Sequence, residues 1–352
     1  MQLKIDGITD EYFVNQWNLK LMNVPAAWEY STGENVVVGI IDSGVDGSHV
    51  DLGWDTLIDI TAMDGDATRK IKYKPVLDAI REGKHPKILP GWNFIEGNDD
   101  TWDLLRHGTY LAGTIGAEMD GVGMVGVAPN VKIRPYVVID ANDMGQPSDI
   151  AKALVKAAQD GCDVINMSLA MPYEETELMD AIEWVTKNSK AIMIAATGNN
   201  NIDKVYYPAA HADVIAVGGC NPVGSRWVHD TTVGRGSNYG DEIFCVAPGS
   251  AQMTTFRMRG RFTEADGTSQ AAANLSGVTA LLKSIKKGLT IADMKSLIKS
   301  NSSRNSWDRE IGWGVPDACK MAKELAQEKP VDLKAISKQL MEISRQLEQL
   351  AQ

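Results

Sequence analysis

Residues 36–52 read VVVGIIDSGVDGSHVDL. An unbroken apolar, β-branched run stops on Asp42, and Gly44 then lets the chain turn. Such a run is the pattern of a strand buried on both faces, and it delivers a carboxylate at its carboxyl end. Four more stretches repeat the pattern: VKIRPYVVI (131–139), CDVINMSL (162–169), AIMIAAT (191–197) and DVIAVGG (213–219). Between them, SDIAKALVKAAQDG (148–161) and ETELMDAIEWVTKNSK (175–190) have helical spacing. Buried strands alternating with helices predict an α/β fold with a mainly parallel central sheet flanked by helices. In such folds ligands bind beyond the carboxyl ends of the strands, where Asp42 stands.

The chain has 352 residues, 44% of them hydrophobic and 23% charged, enough for a large soluble core. Lys and Arg number 35 against 46 Asp and Glu, a net charge of −11 that argues against nucleic acid or an anionic membrane as partners. The opening MQLKIDGITDEYFVNQW carries acids and no apolar core run, so it does not read as a secretory signal. Cys162, Cys220, Cys245 and Cys319 lie far apart without a C-x-x-C pair and read as reduced packing residues. A cytoplasmic location is expected, or a secreted one if a leader was removed before residue 1.

Two stretches break the alternation. Residues 55–90 are polar and mixed and read as an inserted excursion within a domain covering 1–325. After a linker at 326–330, residues 331–352 place Leu333, Ile336, Leu340, Ile343, Leu347 and Leu350 at heptad spacing. That C-terminal amphipathic helix either packs on its own domain or mediates self-association or partner docking.

Three local patterns place a reactive residue at an element boundary. Asp42 ends the opening strand. In RHGTYLAGTIGA, His107 opens a helix of small residues, where the helix dipole is expected to lower its pKa and suit a base. In GTSQAAANLSG (267–277), Ser269 lies in the first turn of an apolar helix, beside unpaired N–H groups able to stabilise an oxyanion. Taken singly, each residue reads as readily as a cap or a turn.

Together they resemble the signatures of the subtilisin-like serine proteases, the subtilase family, in the chain order Asp, His, Ser. The resemblance covers about residues 10–322 and extends to GVGMVGVAPNVKI, INMSLAMP, AATGNNN, YYPAAHADVIAVGG, SNYG and VAPG. It implies a three-layer subtilisin-like fold and a serine endopeptidase acting on peptides or proteins. Ser269 would be the nucleophile, His107 the general base and Asp42 its orienting carboxylate. Asn199 matches the oxyanion-hole asparagine. No cofactor is required by this chemistry. With only about fifteen residues before Trp17, the chain resembles the intracellular type, or else a mature chain numbered after a pro-segment was removed.

The resemblance is incomplete around the serine. Gln270 to Asn274 replace the usual Met-Ala-(Ser or Thr)-Pro-His, and Tyr110 replaces a second histidine. Gln270 is expected to set a polar amide beside the nucleophile. Ser168, Leu169, Ala170 and Met171 match the substrate-pairing strand, and Tyr206 the floor of the first specificity pocket. The bulk of Ala170, Met171 and Tyr206 predicts a short pocket for small or medium apolar P1 side chains. Asp51 and Asp120 match positions near a family calcium site, the alternative being simple solvation.

Three other readings compete. GVGMVG (121–126) satisfies the G-x-G-x-x-G dinucleotide pattern but precedes a proline and a strand rather than opening a helix. A proteolytically silent or partner-activated subtilase would serve as a binding or scaffold module. A processing protease recruited through residues 331–352 would act on few peptides.

Overall fold

The computed structural model describes residues 7–54, 66–230, 232–257 and 261–327. The expected helix over 331–352 lies outside the described residues. Seven parallel strands form the sheet: β1 (Val37–Asp42), β2 (Trp92–Asn93), β3 (Lys132–Val137), β4 (Val164–Met167), β5 (Ile192–Ala196), β6 (Ile215–Cys220) and β7 (Cys245–Pro248). Their order is β2-β3-β1-β4-β5-β6-β7. The chain builds outward from β1 in one direction and then the other, so the carboxyl end of β1 lies at a topological switch point. A two-stranded antiparallel hairpin, β8 (Gln252–Phe256) and β9 (Arg261–Ala265), stands apart from this sheet.

The helices are α1 (Trp17–Leu21), α2 (Val24–Ala27), α3 (Asp66–Arg81), α4 (His107–Gly116), α5 (Pro147–Gln159), α6 (Thr176–Asn188), α7 (Thr268–Ile285), α8 (Ile291–Asn301) and α9 (Ala318–Gln327). Every residue of β4 to β7 is buried, as strands covered on both faces must be. Helix α7 packs on β1 and β4 to β7 and against α4, while α5 and α6 pack together and α5 on β1, β3 and β4. Residues 268–283 of α7 are all buried. Its alanines 271–273 keep that passage through the core narrow. This is the expected three-layer α/β arrangement.

The stretch 55–90 is more than a polar excursion. Helix α3 occupies Asp66–Arg81, and Tyr73, Val76 and Ile80 are buried with Ile88 in the main core. Those three sit at helical spacing on one face, the charged residues on the other. Helix α9 continues to Gln327, two residues into the stretch read as a linker.

All four cysteines are free, three of them buried. Burial pushes the Cys162 and Cys220 thiols up to about 12, which keeps them inert. Among the described residues no helix is long and apolar enough to cross a membrane.

Candidate active site

The site is built from the carboxyl ends of β1, β4 and β5 and the first turns of α4 and α7. Asp42 is fully buried at the end of β1. Its Oδ1 accepts from the Ser43 N–H at 2.8 Å, and its two oxygens stand 2.8 and 2.9 Å from His107 Nδ1. Close approach of two loops makes that possible. A Cβ on Gly108 would fall 2.0 Å from the Gly44 carbonyl oxygen, and Gly44 itself has φ +106°. A side chain at Gly108 would push the first turn of α4 off the end of β1, and one at Gly44 would meet the Thr101 and Trp102 carbonyl oxygens at 2.7 and 2.8 Å.

The imidazole of His107 is 29% exposed and faces the cleft. Burial pulls its pKa down, but the Asp42 charge and hydrogen bond, with Asp103 and Asp143 adding, more than offset that and raise it. The expectation of a lowered value fails because a helix dipole is a weaker influence than a buried carboxylate in contact.

Ser269 is nearly buried in the first turn of α7. Its Oγ donates to the Ser168 carbonyl at 3.2 Å, and Ser168 Oγ donates back to the Ser269 carbonyl at 2.9 Å. Among the described residues no hydrogen bond joins Ser269 Oγ to His107, and the Ser269 N–H has no partner. Asn199 follows β5, with its Oδ1 accepting from both the N–H and the hydroxyl of Thr268 at 2.9 Å. That double anchor fixes the amide flip and leaves Nδ2 as the free donor beside Gly267.

His107, Asn199, Ser269, Ser168, Leu169, Ala170, Met171 and Tyr206 line one cleft of about 720 Å³, with Asp42 just beneath. Met171 pairs with Tyr207 through two backbone bonds of 2.8 and 2.9 Å, so the 168–171 segment is held as one wall. Tyr206 packs its ring against Gly198, where a Cβ would lie 3.0 Å from Cδ2. Gln270 does not share the cleft with Ser269. It is buried, and its Oε1 accepts from Thr114 Oγ1 at 2.7 Å, on the core side of α7.

Asp51 and Asp120 lie away from the cleft. Asp51 is buried, with Oδ2 accepting from the Met124 N–H at 2.9 Å and Oδ1 without a partner. Burial first, then the nearby charges of Asp120, Asp10 and Glu118, push its carboxyl up to about 8 despite the Met124 N–H. The donors are hard oxygens, and the orphaned Oδ1 and mutual repulsion suit a calcium ion. Among the described residues, however, no three His, Cys, Asp or Glu side chains converge as a ready-made metal cluster. The fit is therefore one of charge and donor type, with backbone carbonyls needed to complete it.

The buried Asp103 and two cleft-lining charges, Asp143 and Arg235, escaped the sequence reading; Arg235 pairs with Asp266 at 2.5 Å. Asp103, four residues ahead of His107, had a local signal in WDLLRHG that went unused.

The model of the subtilase family matches residues 33–314. The chain belongs to the subtilase family. That places it among the serine endopeptidases. This subtilase is 30% identical over 282 residues to a thermophilic serine proteinase of Bacillus sp. (strain AK1), covering 80% of this chain and 60% of that relative. It is also 30% identical over 275 residues to subtilisin DY of Bacillus licheniformis, covering 77% of this chain and 85% of that one. Among solved structures, a protease from Pseudoalteromonas arctica PAMC 21717 superposes with a TM-score of 0.73 at 26% identity, over 90% of this subtilase and 99% of that chain.

Proposed function

We propose that the protein is an endopeptidase working through Asp42, His107 and Ser269. The carrying observation is the bifurcated contact of Asp42 with His107 Nδ1, which points the other ring nitrogen at the cleft shared with Ser269. Ser269 Oγ attacks the peptide carbonyl as His107 Nε2 takes its proton, and the proton passes to the leaving amine as the acyl-enzyme forms. Water, activated by the same imidazole, releases the acid. Asn199 Nδ2 and the Ser269 N–H bind the oxyanion.

The substrate strand lies along Ser168–Met171, and the Tyr206 ring with Ala170 and Met171 supports a preference for small or medium apolar P1 side chains. Four free cysteines favour a reducing, cytoplasmic setting, where a processing role recruited through residues 331–352 would restrain the activity. Calcium at Asp51, with Asp120 supplying a second carboxylate, would be structural and outside the chemistry.

The silent or partner-activated alternative draws on one observation, the bond from Ser269 Oγ to the Ser168 carbonyl. A serine hydroxyl moves between staggered positions at low cost, so that bond describes a resting rotamer. Labelling with a fluorophosphonate probe decides between the two. Labelling lost in both Ser269→Ala and His107→Ala supports the protease, whereas a folded protein that never labels supports the scaffold.

A further inference from the structure

Asp103 is fully buried, and five donors converge on its carboxylate. Oδ1 accepts from Ser43 Oγ at 2.8 Å and from the N–H groups of Leu105 and Arg106 at 3.0 and 2.7 Å. Oδ2 accepts from the N–H and the hydroxyl of Thr109 at 2.8 and 2.6 Å. Among the described residues no cation pairs with that carboxylate; the Arg257 guanidinium reaches only the Asp103 backbone carbonyl, at 3.0 Å. A buried carboxylate held only by neutral donors is costly, since its charge is repaid by no ion pair.

Its donors surround His107. Arg106, whose N–H it holds, takes the left-handed φ of +106° immediately before the histidine, a strained geometry for an arginine. Thr109 lies two residues after it. Ser43 Oγ, while donating to Asp103, accepts the Gly108 N–H at 3.0 Å, and the Ser43 N–H donates to Asp42 Oδ1. One carboxylate thus ties the loop before α4, the first turn of α4 and the end of β1 into a single unit. The positive end of α4 would otherwise disfavour a proton on the imidazole.

We propose that Asp103 is a positioning residue for His107. Its oxygens fix the first turn of α4 over Asp42, and its negative charge stabilises the imidazolium formed when Ser269 attacks. This rests on His107 being the general base. The carboxylates that bear on the imidazole are Asp42 from β1, Asp103 from the loop before α4 and Asp143 from the loop after β3. The cations beside this region are Arg106, adjacent in the chain, and Arg257 just after β8, whose guanidinium donates to the carbonyls of Asp103 and Leu104. Of the three carboxylates, Asp42 is in direct contact and Asp143 is exposed to solvent, where screening weakens it.

An acceptor-only group is required here for structure alone, so the test must read the charge. The His107 pKa is measured by NMR titration of its ring Cε1–H, assigned by loss of the signal in His107→Ala. Asp103→Asn is expected to lower that pKa by about half a unit or more, and Asp103→Glu to bring it back. In the same variants, kcat per titrated site should fall about tenfold or more for Asn at nearly constant KM. A folded Asp103→Asn with an unmoved His107 pKa overturns the proposal. Should the Asn variant fail to fold, Ser43→Ala cuts the tie from Asp103 to Gly108 while keeping the carboxylate. It is expected to lower kcat with the His107 pKa in place, and an unchanged kcat overturns the proposal. The titration needs no turnover, so a wild type inert toward peptides would count against the protease reading and leave the effect on the imidazole still measurable.

Discussion

Replacing Asn199 by Ala removes two things that the structure keeps separate. One is the Nδ2 donor facing the cleft, whose loss is expected to cost about 2.7–4 kcal/mol of transition-state stabilisation, or about 10²–10³ in kcat. The other is the Oδ1 acceptor that holds the Thr268 N–H and hydroxyl at 2.9 Å. Leaving those donors unmatched at the start of α7 is expected to cost about 1–3 kcal/mol of stability. Thr268→Val isolates the second effect, since it removes the hydroxyl's bond to Asn199 and its acceptance of the Gly198 N–H at 3.2 Å while leaving Nδ2 in place. Steady-state kinetics on a peptide anilide, normalised to active sites by a fluorophosphonate titration, separates them from thermal melts of the same samples. The expected pattern is a large loss of kcat with KM little changed for Asn199→Ala. Thr268→Val should show a comparable loss of melting temperature and at most a tenfold loss of kcat, on the order of 1.4 kcal/mol. An Asn199→Ala enzyme within about tenfold of wild type in kcat would refute the reasoning, because the oxyanion would then be held by other donors.

On the proposed specificity, Tyr206→Gly opens the end of the P1 pocket beside Gly198. Relative kcat/KM for Phe over Ala at P1 should rise about 10–100-fold, read with a matched pair of peptide anilides, and an unchanged ratio would remove Tyr206 from the specificity. Asp51 has a folded-state pKa near 8 against an ordinary 3.8, so the folded chain holds a proton that the unfolded chain releases. Metal-free protein should therefore lose stability as pH rises from about 4 to 8. Calcium should restore that stability, and Asp51→Asn should abolish both the slope and the calcium response in thermal melts at graded pH. An identical pH slope in the variant would acquit Asp51.

The elements that carry the chemistry were legible because each has a local cause. An apolar run that stops on Asp42, a helix of small residues opening at His107 and one opening near Ser269 are short-range patterns, and the structure brings their ends together. The strands at 162–169, 191–197 and 213–219 were legible for the same reason. What escaped was decided at long range. Asp103 takes four of its five donors from Leu105, Arg106 and Thr109 nearby, and what the local sequence could not show is the fifth, Ser43, sixty positions away. The sign of the His107 shift depends on three carboxylates from three elements, Asp42 foremost, which together outweigh its burial. Gln270 turns away from Ser269 because Thr114 offers a donor within the core. Helix α3 was hidden by charged residues and an internal Pro75, which blur its apolar face.

Asp42, His107, Asn199 and Ser269 are spread over more than two hundred positions and meet only where β1, β5, α4 and α7 converge. A ribosome delivers them in that order, so on the proposed mechanism the nucleophile emerges last, and a nascent chain still lacking α7 would hold a base and its orienting acid with nothing to activate. Because the crossovers between these strands are long, the first moment at which all four residues can be neighbours is close to the completion of the sheet itself. On the proposed mechanism the ability to cut is therefore timed by the topology itself: the four residues would assemble only as the sheet that carries them is completed.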